Sequence, residues 1–260
     1  MLEDDFTYVL RKALAGHGLT PEQAGVRARL TDNEVRTLLN GTFDAASARQ
    51  LAPIVGLNPD ALASHNIYQP RPLDLVGIAR LDLPFGTEQV NAWLVTDDNV
   101  SVLFDAGGET SGLLEAVAAH GIRLPDMAFI THAHRDHIGV LEHLLGAGVP
   151  VYAAGISGTL AMRPGDMVNC GQLAILACDL SGHASPALGF HIDGMEQPVL
   201  VTGDALFAGS MGGCATPAVY QHALHRLREV LGPLPDATVI LPGHGPATTL
   251  GEERTANPFL

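Results

Sequence analysis

The chain has 260 residues, 47% of them hydrophobic, enough for one large domain and one small one, and no apolar run approaches the ~18 residues a membrane helix requires. A formal charge of −14, from 28 Asp+Glu against 14 Lys+Arg, argues against nucleic acid as a partner, because acidic surfaces repel phosphate backbones. The three cysteines, Cys170, Cys178 and Cys214, form no Cys-x-x-Cys pair, which excludes a disulfide framework and a thiolate zinc site.

In chain order, the opening Met1-Leu2-Glu3-Asp4-Asp5 is acidic, where a secretory leader would be basic and then apolar, so a cytoplasmic protein with no membrane partner is expected. Residues 1 to 68 read as a small all-α domain. Apolar spacing over Phe6–Leu14 predicts a helix that stops near Gly16 and Gly18. Thr20-Pro21-Glu22-Gln23 opens a second, with Thr20 as N-cap, Pro21 at the first helical position and Gln23 completing a capping box. Thr31-Asp32-Asn33-Glu34 opens a third that ends at Asn40-Gly41. Asp44 to Val55 gives a fourth and Pro59-Asp60-Ala61-Leu62 a short fifth. Five short helices with tight turns resemble the helix-turn-helix domain of Xre/Cro-type repressors. Residues 1 to 65, however, hold six basic and eight acidic side chains, which favours a packing or self-association module, such as a homodimer contact, over DNA binding. Its deletion is expected to leave the rest of the chain's candidate ligands in place.

Gln69-Pro70-Arg71-Pro72 reads as a linker. Residues 73 to 260 then read as an α/β domain. Predicted strands are Leu75–Leu83, Val90–Thr96, Val100–Asp105, Met127–Thr131, Ala174–Leu180, Leu188–Ile192, Pro198–Thr202 and Thr238–Leu241. Predicted helices are Ser111–His120, Ile138–Leu145 and Val219–Leu231. Two sheet layers covered by helices would bury this pattern.

Four of these strands end alike. Met127-Ala128-Phe129-Ile130 runs into Thr131-His132-Ala133-His134-Arg135-Asp136-His137. Ala174–Leu180 runs into Ser181-Gly182-His183, Pro198–Val201 into Thr202-Gly203-Asp204, and Thr238–Leu241 into Pro242-Gly243-His244. If the strands are neighbours, five histidines and two aspartates converge at one edge. His132, His134 and His137 cannot share a helical face, but on a tight loop they can surround a metal pair. Imidazole nitrogen and carboxylate oxygen suit zinc, iron or manganese, whereas calcium or magnesium would want mostly oxygen. His17, His65, His120, His143, His191, His222 and His225 fit no ligand slot, and no role is assigned to Arg135.

His-x-His-x-Asp-His, followed in order by Gly-His, Gly-Asp and Pro-Gly-His, resembles the metallo-β-lactamase superfamily over residues 73 to 260. The resemblance implies an αββα sandwich holding two divalent ions, zinc first, with iron or manganese as alternatives. It implies that His132, His134 and His183 bind the first ion, that Asp136, His137 and His244 bind the second, and that Asp204 bridges them. Asp136 and Asp204 are the candidate catalytic carboxylates, and Asp105 would buttress the ligand loop without binding metal. Two ions lower the pKa of a shared water and polarise a carbonyl. Their charge, less two aspartates and one hydroxide, leaves about +1 and favours an anionic small-molecule substrate.

Within the superfamily, Gly203-Asp204-Ala205-Leu206-Phe207-Ala208-Gly209-Ser210-Met211-Gly212 and the terminal Pro242 to Leu260 resemble glyoxalase II-like thioesterases. That implies hydrolysis of a thioester, or of a related ester or lactone. Gly213 departs from the pattern: relatives carry a basic residue there, associated with the substrate's carboxylates. Poor affinity for a glutathione thioester is therefore expected. The alternatives are a mononuclear-iron persulfide dioxygenase and, in another class, a metal-domain sensor with a DNA-binding N-terminal domain.

Overall fold

The structure, a computed structural model, describes residues 1–97, 100–108 and 110–260. Helix α1 spans Phe6–Gly16, α2 Pro21–Ala28, α3 Asp32–Leu39, α4 Ala45–Leu51 and α5 Pro59–Ser64. Each starts at a side chain that accepts from the orphan N–H groups of the first turn. Asp5 caps α1, Asp44 caps α4 and Asn58 caps α5, while Thr20–Gln23 and Thr31–Glu34 form reciprocal capping boxes. The expected fourth helix is divided, because Ala52–Val55 tightens into a 3₁₀ turn at Pro53.

The remainder is a sandwich. One six-stranded sheet is ordered β1 (Ile78–Phe85), β2 (Glu88–Asp97), β3 (Val100–Phe104), β4 (Met127–Ile130), β5 (Val151–Ala153) and β6 (Leu160–Ala161). The other, read from its far edge, runs β7 (Met167–Cys170), β8 (Leu173–Asp179), β9 (Leu188–Asp193), β10 (Val199–Gly203), β11 (Val239–Pro242) and β12 (Thr248–Thr249). Helices α6 (Thr110–Ala119) and α7 (Leu141–Gly146) cover the first sheet, and α8 (Pro217–Leu231) and α9 (Leu250–Ala256) cover the second.

Alternation along the strands assigns the layers. Trp93, Val95, Val102, Phe104 and Phe129 face Ile175, Phe190, Val201 and Leu241 across the sandwich. Their neighbours Leu94, Leu103, Ala128 and Ile130 turn outward under α6 and α7. Leu200 and Ile240 turn outward on the other side, into a cluster that contains α8, Phe259 and the N-terminal helices through Val9, Leu10, Leu38, Leu51 and Leu62. The helical segment and the sandwich thus share one core. α1 approaches α8 so closely that a Cβ on Gly16 would lie 2.3 Å from the Tyr220 ring. Asn58 N–H, at the start of α5, donates to the Pro258 carbonyl at 2.7 Å, so the helical segment also bonds to the residues that follow α9.

Two differences from the sequence reading have physical causes. The helix expected from Ile138 begins at Leu141, because Ala106 N–H donates to the His137 carbonyl and Gly139 and Val140 donate to Gly107 and Ala106. Those bonds tie the backbone to the exit of β3. The short strands β5, β6, β7 and β12 and helix α9 carry too little periodicity to be read from sequence. Among the described residues, no helix is long and apolar enough to cross a membrane.

Candidate metal centre

The C-terminal ends of β4, in one sheet, and of β8, β10 and β11, in the other, meet at one edge of the sandwich. Two glycines show how tightly. Gly203 has φ +49°, and a Cβ there would lie 2.6 Å from Thr131 Oγ1. A Cβ on Gly243 would lie 2.3 Å from Asp204 Oδ1 and 2.7 Å from His137 Cε1. The glycines of Gly-Asp and Pro-Gly-His are there because the two sheets close on each other at this point.

Every sequence-predicted ligand arrives at this edge. His132, His134, His183 and Asp204 form one group, and Asp136, His137, Asp204 and His244 a second; within each, the facing donor atoms lie within 4.8 Å of one another. Asp204 belongs to both. His134 Nδ1 lies 3.0 Å from His132 Nε2 and 3.1 Å from His183 Nε2. Asp204 Oδ2 lies 3.8 Å from His132 Nε2 and 3.5 Å from His183 Nε2. In the second group, Asp204 Oδ1 lies 3.3 Å from His137 Nε2, and Asp136 Oδ2 lies 3.3 Å from His244 Nε2. Four donors ~2.0–2.1 Å from one tetrahedral ion would be ~3.3 Å apart, so these separations fit.

The far side of each ring fixes which nitrogen faces the centre. His183 Nδ1–H donates to the Gly213 carbonyl at 2.8 Å and His244 Nδ1–H to the Gln89 carbonyl at 2.9 Å. Carbonyls only accept, so both Nε2 atoms are left to face a cation. Asp105 does the same for His137, whose Nδ1 lies 2.8 Å from Asp105 Oδ2. It also serves His132 by relay: Thr131 Oγ1 donates to Asp105 Oδ2 at 2.9 Å and accepts from His132 Nδ1–H at 2.9 Å. Asp105 takes φ +61°, which aspartate tolerates, and its Oδ1 accepts Thr131 N–H at 2.7 Å. It bonds to His137 and Thr131 without joining either group. Sequence gave no sign of Thr131, Gln89 or the Gly213 carbonyl in these roles, because two of the three act through backbone.

His137 Nε2 and Asp204 Oδ1 are buried with no hydrogen-bond partner among the described residues, and both face the interior of the second group. Unpartnered buried polar atoms are costly, and a cation between them would satisfy both. Without one, protons stand in. Burial opposes charge on His137, but Asp105 and Asp204 outweigh it and hold the imidazole up to about 10. Burial likewise opposes charge on His244, and bonds to Asp136 and Asp204 hold it up to about 11. His132 is pushed down to about 4 by burial and by His137. Burial works against ionised Asp204, yet His137 and His244 hold its carboxyl well below the usual range.

Arg135 is exposed on the ligand loop and lines a shallow cavity with Phe85, Gly108, Ile138 and Gly139. His65, which fits no ligand slot, is buried and reaches the Gly209 carbonyl through Nε2 at 3.0 Å. It supports the loop that follows Asp204. Burial pushes the Cys214 thiol up to about 11, in keeping with a packing role.

The family model of the metallo-beta-lactamase superfamily matches residues 85–173. The "probable metallo-hydrolase YqgX" of Bacillus subtilis is 28% identical over 204 residues, covering 68% of this chain and 95% of that one. The "hydroxyacylglutathione hydrolase GloC" of Haemophilus influenzae is 29% identical over 206 residues, covering 68% and 96%. The solved structure of TTHA1623 in a di-iron-bound form is 30% identical, covers 69% of this chain and 99% of its own, and superposes with a TM-score of 0.54. With the site assembled at the sandwich edge and relatives matched over nearly their whole length, the chain belongs to the metallo-β-lactamase superfamily.

Proposed function

We propose that this protein is a dinuclear metallo-hydrolase acting on a thioester or a related ester or lactone. The observation that carries it is the sharing of Asp204 by two complete ligand groups. His132, His134 and His183 would hold one divalent ion, Asp136, His137 and His244 the other, with Asp204 common to both. Zinc, iron or manganese suits these donors, and iron is the metal in the bound form of TTHA1623. Two such ions supply Lewis acidity toward a carbonyl and a water acidic enough to ionise near pH 7. The chain's own contribution is orientation: Asp105, Gln89 and Gly213 hold the imidazoles with the lone pairs of Nε2 inward. Asp136 and Asp204, both in reach of the centre, are the carboxylates that would accept a hydrogen bond from an attacking water.

The similarity to GloC supports a thioester substrate. Gly213 has no side chain to meet a glutathione carboxylate, but a Cβ there would find only Lys12 Cε, at 3.9 Å. Lys12 is already paired with Asp4, so weak affinity for S-lactoylglutathione remains the expectation. DNA is not proposed as a partner: α3 offers Asp32 and Glu34, and its Arg36 is paired with Asp32 at 2.7 Å.

The test is elemental analysis of the purified protein, with hydrolysis of a simple thioester, a lactone, S-lactoylglutathione and a persulfide measured before and after chelation and metal add-back. Two ions per chain and restored thioester or lactone hydrolysis are expected. One iron with oxygen-dependent persulfide turnover would overturn the reading, as would a protein that binds no metal and gains no activity from it.

A further inference from the structure

The loop between β10 and α8 carries Asp204 at its start and Gly213 near its end, and it meets the ligands at Phe207, Gly212 and Gly213. A Cβ on Gly212 would lie 2.0 Å from the Asp204 carbonyl oxygen and 2.8 Å from His183 Cβ. The Gly213 carbonyl orients His183. The loop is held from both termini. From the C-terminal side, Glu253 accepts Gly209 N–H at 2.8 Å and Asn257 Nδ2 donates to the Ser210 carbonyl at 3.0 Å. From the N-terminal side, Lys12 on α1 donates from Nζ to the Met211 carbonyl at 2.8 Å and pairs with Asp4, whose carboxylate also accepts Ser210 Oγ–H. Asp4, Ser210 and Met211 are buried, and the Lys12 side chain is 19% exposed.

We infer that Lys12 and Asp4 are positioning residues of the metal centre: the ion pair of the N-terminal helix clamps the 210–213 segment, and so fixes the carbonyl that turns His183 Nε2 toward the first ion. This rests on the proposed dinuclear reading. The clamp is selective by construction. Three groups of the first position and three of the second meet at Asp204, but only His183 hangs on a carbonyl, that of Gly213, in the segment that Lys12 holds through Met211. His137 and His244 hang on Asp105 and Gln89 in the first sheet and its exit. An ammonium between a carboxylate and a carbonyl holds both at fixed separation, and a partner one bond removed from a ligand commonly governs its affinity for metal.

The experiment uses the full chain. Zinc affinity of the first position is read by chelator competition in His244→Ala, which keeps His132, His134 and His183, and that of the second in His183→Ala. Lys12→Met is added to each. Zinc binding to the first position is expected to weaken ~10–100-fold and to the second by less than about threefold, with Lys12→Arg restoring the first because it keeps the charge and the donors. Equal weakening at both positions, or none at the first, would overturn the clamp. Should Lys12→Met not fold, Ser210→Ala, which removes only the hydroxyl on Asp4, is read by the same criterion. Zinc binding in neither background would instead overturn the dinuclear reading itself.

Discussion

The two halves of the centre are built by different parts of the chain. The half around His137 and His244 is supported from within the sandwich, by Asp105 at the exit of β3 and by the Gln89 carbonyl in β2. The half around His183 is supported by the 210–213 loop, which is itself held by α1 at one end of the chain and α9 at the other. A sheet edge can place ligands by register alone, whereas a loop is only as fixed as what packs on it. The half around His183 therefore depends on the N-terminal helices in a way the half around His137 and His244 does not.

The harshest way to break this comparison is to remove residues 1 to 65. The sequence suggests that the ligands would survive. The shared core says otherwise: Tyr220, Leu224 and Phe259 would lose their cover, at ~1.5–3 kcal/mol for each fully buried side chain against a total stability of ~5–15 kcal/mol. We expect no cooperative thermal unfolding in the truncated protein, and a sharp transition near that of the intact chain would show the two parts to be independent. Next comes Asp204→Ala, which strips the donor common to both groups. It should cost both ions and about 10³-fold or more in kcat/KM, ~4 kcal/mol of barrier, whereas His244→Ala should leave one ion by elemental analysis. Asp105→Asn keeps the φ +61° turn but loses the charge that His137 and Thr131 share. It should weaken zinc binding ~10–100-fold, with the second position hit at least as hard as the first, the reverse of the clamp variants.

The pH dependence separates the halves more gently. In metal-free protein His137 and His244 are raised to about 10 and about 11, so both stay protonated at pH 8. Their contribution to stability is fully present below the unfolded histidine range and is lost as pH rises through those values. Metal uptake at pH 8 should release about two protons, from the second half, detectable as a dependence of calorimetric heat on buffer. Gly213→Arg is the smallest change. Gly213 lacks positive φ and has only Lys12 Cε within 4 Å, so the backbone accepts a side chain. S-lactoylglutathione should gain affinity, read as a lower KM with kcat held. A strong preference for that ester in the unmodified protein would mean that other residues recognise it.

What could be read from sequence here was what local pattern encodes. Capping residues such as Thr20 and Asp44 marked helix starts, alternation marked the long strands, and ligands announced themselves because metal chemistry restricts the residue types and their order. The supports could not be read. Gln89 and Gly213 act through carbonyls that any residue would provide. Lys12 lies 199 residues from its partner Met211, and nothing in the spacing of α1 marks one of its cations as different from Arg11. His65 looked like an ordinary histidine because its role is to hold a turn 144 residues away.

The packing of the N-terminal helices against α8 and Phe259 has a consequence for how the protein folds. The apolar face of α1, with Val9 and Leu10, packs in one cluster with residues of α8 and with Phe259, which lie beyond most of the sandwich in sequence. Contacts of such long separation form late and expose apolar surface in the meantime. A folding chain must keep helices α1 to α5 from sticking elsewhere until α8 and Phe259 are in place to receive them.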